Sequence, residues 1–242
     1  KTMVKIGQLA GAETRAVITT MSEPLGRNVG NALEIKEVIS FLLSDETTLE
    51  SEEIRDLKEV IFEIAAQMIK MSGVCDDMEK NKKDIMKAIT SRAAYDKFIE
   101  LIKAQGGHIY NVYMDWIGMS LDMPVLDDKV RYLKEIHAQS DGYVVSIDSK
   151  KIGEALVALG GGRNKKEDKI DYAVGFEFAK KVGDKVNEGD TILTVLYNDK
   201  QKFEKAFEYI EDAIYIDDVE EDVAKALKTK PHILDIIDEA SL

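Results

Sequence analysis

The chain has 242 residues, 45% hydrophobic and 33% charged, a length that buries a substantial core as one large or two smaller domains and a balance foreign to disordered segments. A formal net charge of -13 opposes broad binding to the phosphate backbone of nucleic acid, and no apolar run approaches the roughly 20 residues that span a bilayer. Cys75 is the single cysteine, so no disulfide can close within the chain, and composition points to a cytoplasmic protein.

Thr2 to Ala10 reads as a helix closed by Gly11, and Arg15 to Met21, with its β-branched run Val17-Ile18-Thr19-Thr20, as a buried strand. Pro24 and Gly26 break regular structure, after which Val29, Leu33, Ile35, Val38, Ile39 and Leu42 recur at the spacing of a helix with one buried face, from about Val29 to Leu43. In α/β proteins the loops leaving the carboxyl ends of strands are where ligands sit. Backbone carbonyls near Leu25 and Asn28, with the carboxylate of Glu37 about two turns into the helix, offer the oxygen mixture that holds hard cations. The plain reading of the same residues is a loop, a helical turn and a solvated carboxylate.

Ser51 to Gly73 carries Ile54, Leu57, Ile61, Ile64, Ala65, Met68 and Met71 at helical spacing, with both methionines read as core filler. Cys75 lies beside Asp76 and Asp77, whose charge disfavours a thiolate, so it is not read as a nucleophile. Helices are expected over Asp77 to Thr90 and Ala93 to Ala104, the latter running into Gly106-Gly107 and an unpartnered His108. No second strand is legible from Ser22 to Met123. The strand at Arg15 to Met21 therefore needs neighbours, either from the second half of the chain or from residues of a longer protein.

Pro124 marks a boundary between residues 1-122, read as part of a helix-rich α/β domain with a parallel sheet, and residues 123-242, read as a smaller α+β domain. There, Val130 to Ala138, Gly142 to Ile147, Gly175 to Ala179, Thr191 to Leu196 and Ala213 to Ile216 read as strands. Ser149 to Leu159 and Asp199 to Asp212 read as helices, and the acidic run Asp217 to Asp222 as a helix start. Gly160-Gly161-Gly162-Arg163-Asn164-Lys165-Lys166 combines backbone amides with cations but lacks the spacing of a P-loop, so it reads as a surface loop. A final pair of helices or turns flanks Pro231, and His232 has no acidic partner in sequence reach.

The string Met21-x-x-Pro24-Leu25-Gly26-x-x-Val29-Gly30-Asn31-Ala32-Leu33-Glu34-x-Lys36-Glu37 resembles the pyrimidine-nucleoside phosphorylases, including thymidine phosphorylase, as do Phe98 to Gly107, Asp141 to Val144 and Ile170 to Gly175. The resemblance implies the carboxyl-terminal portion of an enzyme in which phosphate displaces a pyrimidine from a nucleoside, leaving a pentose 1-phosphate. It implies that the carbonyls of Leu25 and Asn28 and the carboxylate of Glu37 help bind a monovalent cation, often potassium, and that Arg163 and Lys166 make a domain-closure contact. It also implies a homodimeric parent.

The family's glycine-rich phosphate loop and its base-binding arginine, serine and lysine have no counterpart in this sequence. No catalytic or substrate-binding residue is therefore carried over, and this stretch alone is expected to be inactive with an incomplete cation site. Val182 to Leu193 is similar to the β element of biotinyl and lipoyl carriers, a barrel-sandwich type of module that also occurs in the phosphorylases' last domain. A carrier or binding module is the alternative reading, although no Met-Lys-Met occurs.

Overall fold

A computed structural model of the chain describes residues 1-107 and 130-241. In chain order the elements are α1 (Thr2–Leu9), β1 (Ala16–Thr19), β2 (Asn28–Val29), α2 (Asn31–Leu42), α3 (Glu46–Leu49), a 3-10 turn (Glu52–Ile54), α4 (Arg55–Met71), α5 (Met78–Thr90) and α6 (Ala93–Ala104). They continue with β3 (Tyr132–His137), β4 (Gly142–Ile147), α7 (Ser149–Leu159), β5 (Gly175–Phe178), β6 (Lys185–Val186), β7 (Thr191–Tyr197), α8 (Lys200–Glu211), β8 (Ile214–Asp217), α9 (Glu221–Lys228), β9 (Ile233–Ile237) and a last 3-10 turn (Glu239–Ser241). The expected boundary at Pro124 and the histidine at position 108 lie outside the described residues. Among the described residues no helix is long and apolar enough to cross a membrane.

The chain divides into two compact units, each made of separated segments: residues 1-21, 42-94 and 231-242, and residues 22-41 and 95-230. In the first unit α4 buries Val60, Phe62 and Ala66, and Leu49 and Ile89 are buried as well. Asn81, at 0% exposure, donates its amide to the carbonyl of Cys75 at 3.0 Å, fixing the turn before α5. The buried stripe of α4 leaves Met68 on the other face, 67% exposed, so that methionine is not the core filler expected of it.

β1 pairs with β9 in antiparallel register from Ala16↔Ile237 to Thr19↔Ile233. This corrects the helix or turn expected after Pro231, and among the described residues every strand pairing is antiparallel, with no parallel neighbour for β1. A two-stranded ribbon is marginal by itself, and no residue of β1 or β9 is fully buried, so β1 is not the buried strand expected at Arg15 to Met21. His232 is buried rather than unpartnered. Its backbone N–H and that of Ile233 donate to Glu59 Oε1 at 3.0 and 3.2 Å, with the ring Nδ1 3.3 Å from Glu59 Oε2.

The second unit is built round a β module packed on α7 and α8, and also holds α9 and most of α2 and α6. One sheet runs β2-β5-β7-β3 and the other β6-β4-β8. Alternating residues of both sheets (Val144, Ile147, Phe176, Phe178, Leu193, Val195) meet Ile152, Ala155 and Leu159 of α7 and Ala206 and Ile210 of α8 in a single buried core. Asp148 and Asp199 cap α7 and α8, each accepting two backbone N–H bonds, as short carboxylates do at helix starts. The two-residue strand β2 is a further correction, since no strand was legible between Ser22 and Met123. It exists because Asn28 and Val29 pair with Glu177 and Phe176 of β5. Gly30 follows at φ +139°, where a Cβ would lie 2.6 Å from the Val174 carbonyl oxygen, so only glycine lets β2 lie this close to β5.

Candidate functional site

The loop from Glu23 to Gly30 leads through β2 into α2 and is held from both sides. From α2, the carboxylate of Glu37 folds back: its Oε1 accepts the Arg27 backbone N–H at 2.7 Å and the Asn28 side-chain amide at 3.2 Å. Gly26, at φ +69°, sits directly under it, and a Cβ there would come 2.4 Å from Glu37 Oε2. The carboxylate is thus cradled over the loop rather than solvated. From the β module, Arg27 donates to the carbonyls of Ala179 at 3.0 Å and Phe178 at 3.3 Å, while the Phe178 N–H returns a 2.8 Å bond to the Arg27 carbonyl.

Asp184 anchors this side. It accepts from Lys228 Nζ at 2.6 Å and the Lys181 N–H at 2.9 Å, with the Arg27 guanidinium 4.0 Å away. Burial pushes its carboxyl upward, but the Lys228 ammonium, the Lys181 N–H and Arg27 outweigh that and hold it below its ordinary 3.8. A lowered folded value means the contribution is complete above 3.8 and fades as pH falls through the lower folded value. Asp184→Asn is expected to cost about 1–2 kcal/mol at neutral pH, discounted because Lys228 is partly exposed, and the gap to wild type should close in urea titrations at progressively lower pH.

The structure therefore brings Asn28 and Glu37 together, with Leu25 half-buried in the same loop. Among the described residues no three His, Cys, Asp or Glu side chains converge, and this loop carries the Glu23 and Glu37 carboxylates beside its backbone carbonyls. Carboxylate and backbone carbonyl oxygens are the donor chemistry that hard cations take. Arg163 and Lys166 lie apart from it, exposed on the loop after α7, where Asp168 Oδ2 accepts the N–H groups of Asn164 and Lys165 at 3.1 and 2.9 Å. The Asn31 amide, at the start of α2, donates to the Gly161 carbonyl at 3.0 Å.

Sequence reasoning missed Lys181, Asp184 and the roles of Glu23 and Arg27, reading Val182 to Leu193 only as a carrier-like β element. The one available signal was the paired Lys180-Lys181 ahead of a glycine-aspartate turn. Lys180 is tied to the Lys185 carbonyl at 3.0 Å and Asp190 at 3.3 Å, so neither lysine of the pair stands free at a hairpin tip as a carrier lysine must.

Residues 143–217, which include α7, α8 and most strands of the two antiparallel sheets, match the pyrimidine nucleoside phosphorylase C-terminal domain. Over 216 residues, 89% of its length, the chain is 36% identical to pyrimidine-nucleoside phosphorylases of Staphylococcus aureus strains USA300, NCTC 8325 / PS 47 and bovine RF122/ET3-1. The chain belongs to the pyrimidine-nucleoside phosphorylase family, as a carboxyl-terminal portion of it. It spans about half the length of these curated relatives, 46%.

Proposed function

We propose that the chain is the carboxyl-terminal part of an enzyme that transfers the pentose of a pyrimidine nucleoside to phosphate, releasing the free base and a pentose 1-phosphate. The observation that carries this reading is the Glu23 to Glu37 segment folded as a cradle, with Glu37 turned back onto the Arg27 N–H at 2.7 Å, in a chain of that family. Displacement at the anomeric carbon develops positive charge on the sugar and negative charge on the leaving base, so such an enzyme must align phosphate and supply donors to the base. In this division of labour the present residues supply scaffold, half of a cation site and a closure loop. Phosphate and base donors lie in the other part of the protein. The reading includes a parallel-sheet scaffold completed by that other part, a barrel-sandwich type of β module, a homodimeric parent and a cytoplasmic location.

The carbonyls of Leu25 and Asn28 with the Glu37 carboxylate would hold potassium. Bound there, the ion would supply fixed positive charge. What these residues contribute themselves is orientation. Glu37 holds the Arg27 and Asn28 donors, and the glycines at 26 and 30 supply the positive φ that this turn takes.

The 242 residues alone should release no uracil or thymine from nucleoside and phosphate, and measurable phosphate-dependent release would overturn this division of labour. In the full-length protein, Arg163→Glu should raise the KM for nucleoside roughly tenfold with kcat changed less than about threefold, the pattern of a lost closure contact rather than lost chemistry. Unchanged steady-state kinetics would remove Arg163 from the closure contact. No observation favours the carrier reading.

A further inference from the structure

The loop at Glu23 to Asn28 already contains a cation of its own. Lys181, from the turn after β5, donates its ammonium to the carbonyl oxygens of Pro24 and Gly26, the latter at 2.8 Å, and lies 3.4 Å from Glu23 Oε2. The Lys181 side chain is 12% exposed and that of Glu23 15%, so this is a largely desolvated ion group rather than a surface pair. Two carbonyls and a carboxylate form the kind of oxygen set that takes a small monovalent cation, and a lysine ammonium, with three donors, satisfies the same set.

The lysine is locked where it is. Its own N–H is bound to Asp184 at 2.9 Å, and the next residue, Val182, donates its N–H to Glu23 Oε2 at 3.3 Å. Glu23 is thus tied to Lys181 through both backbone and side chain. On the far side of Gly26, Glu37 approaches the same peptide run, so the turn is gripped by an ammonium on its carbonyls and a carboxylate on its N–H.

We infer that Lys181 is a tethered cation and a positioning residue: it holds the carbonyl side of the turn in place of a metal ion. The carbonyls of Pro24 and Gly26 are then held whatever salt is in solution. Without the ammonium, Pro24, Gly26 and Glu23 present an unneutralised oxygen group that a free cation of similar size refills. This goes beyond the phosphorylase reading and stands on the loop geometry alone.

The test is amide hydrogen exchange of the full chain, with no nucleoside or phosphate present, at equal ionic strength in choline, potassium or ammonium chloride, with the Arg27 amide as reporter. Wild type should stay protected in choline chloride, where no small cation is supplied. Lys181→Ala in choline chloride should exchange at least about tenfold faster at Arg27, as expected for a locally opened segment, and ammonium or potassium should restore most of that protection. Lys181→Arg, which keeps the charge, should stay protected in choline. If Lys181→Ala folds only when ammonium or potassium is added, that is the same expected result. Protection at Arg27 that is unaltered by Lys181→Ala, or lost and not restored by either cation, would overturn the inference.

Discussion

Replacing Gly30 by alanine is expected to destabilise the β module by about 3–4 kcal/mol, the sum of a backbone held at a φ that side chains rarely adopt and a displacement of packed main chain. At φ +139° the new Cβ would meet the Val174 oxygen at 2.6 Å and the Gly175 Cα at 3.0 Å, both backbone atoms that no rotamer change can move aside. Gly175 faces the reverse constraint, its own Cβ position lying 2.3 Å from the Val29 oxygen. The two glycines let β2 and β5 cross at a separation that no other pair of residues permits. Guanidinium unfolding of Gly30→Ala measures the cost. A midpoint within about 0.5 kcal/mol of wild type, the scale of an ordinary surface change, would show that the two strands slide apart freely and that the loop is not rigidly set.

Phe176→Ala should cost about as much or more, roughly 3–5 kcal/mol, by the lost transfer energy of the ring and the cavity it leaves. Phe176 has 0% exposure, pairs with Val29 of β2 on one side and Val195 of β7 on the other, and belongs to the core that both sheets share with α7 and α8. Its loss therefore acts on the site as well as on the core. The carbonyl of Phe178, two residues on, accepts from Arg27, so a loosened β5 also loosens the grip on the Glu23 to Asn28 loop. Thermal or denaturant unfolding would read the stability loss, and a cost below about 1 kcal/mol would mean that the core collapses around the cavity.

The long helices were legible because periodicity is a local signal. α4, α7 and α8 were each read within a few residues of their ends, and the aspartates at 148 and 199 mark the starts of the last two. The short strands were not legible, because two residues cannot show an alternation. Asn28–Val29 and Lys185–Val186 are strands only by virtue of β5 and β4 beside them. β9 was misread for a related reason: Ile233-Leu234-Asp235-Ile236-Ile237 suits a strand, but its partner β1 lies at the opposite end of the chain.

The site divides in the same way. Glu37 and Asn28 are nine residues apart and meet within one loop and one helix, so a sequence motif could point to them. Lys181 reaches Pro24 and Gly26 across more than 150 residues, and the Asp184 bond to Lys228 and the His232 bond to Glu59 are likewise long-range. None leaves a spacing that could be read. Met68 failed differently. Helical spacing identifies a face but not which face is covered, and the burial of Val60, Phe62 and Ala66 puts the packed stripe of α4 elsewhere.

The most direct measurement is the fate of uridine and thymidine incubated with the full-length protein, with and without inorganic phosphate. The account predicts that free uracil or thymine appears only when phosphate is present, with one pentose 1-phosphate formed for each base released. Nucleoside that stays intact, or base released equally well by water, would contradict it.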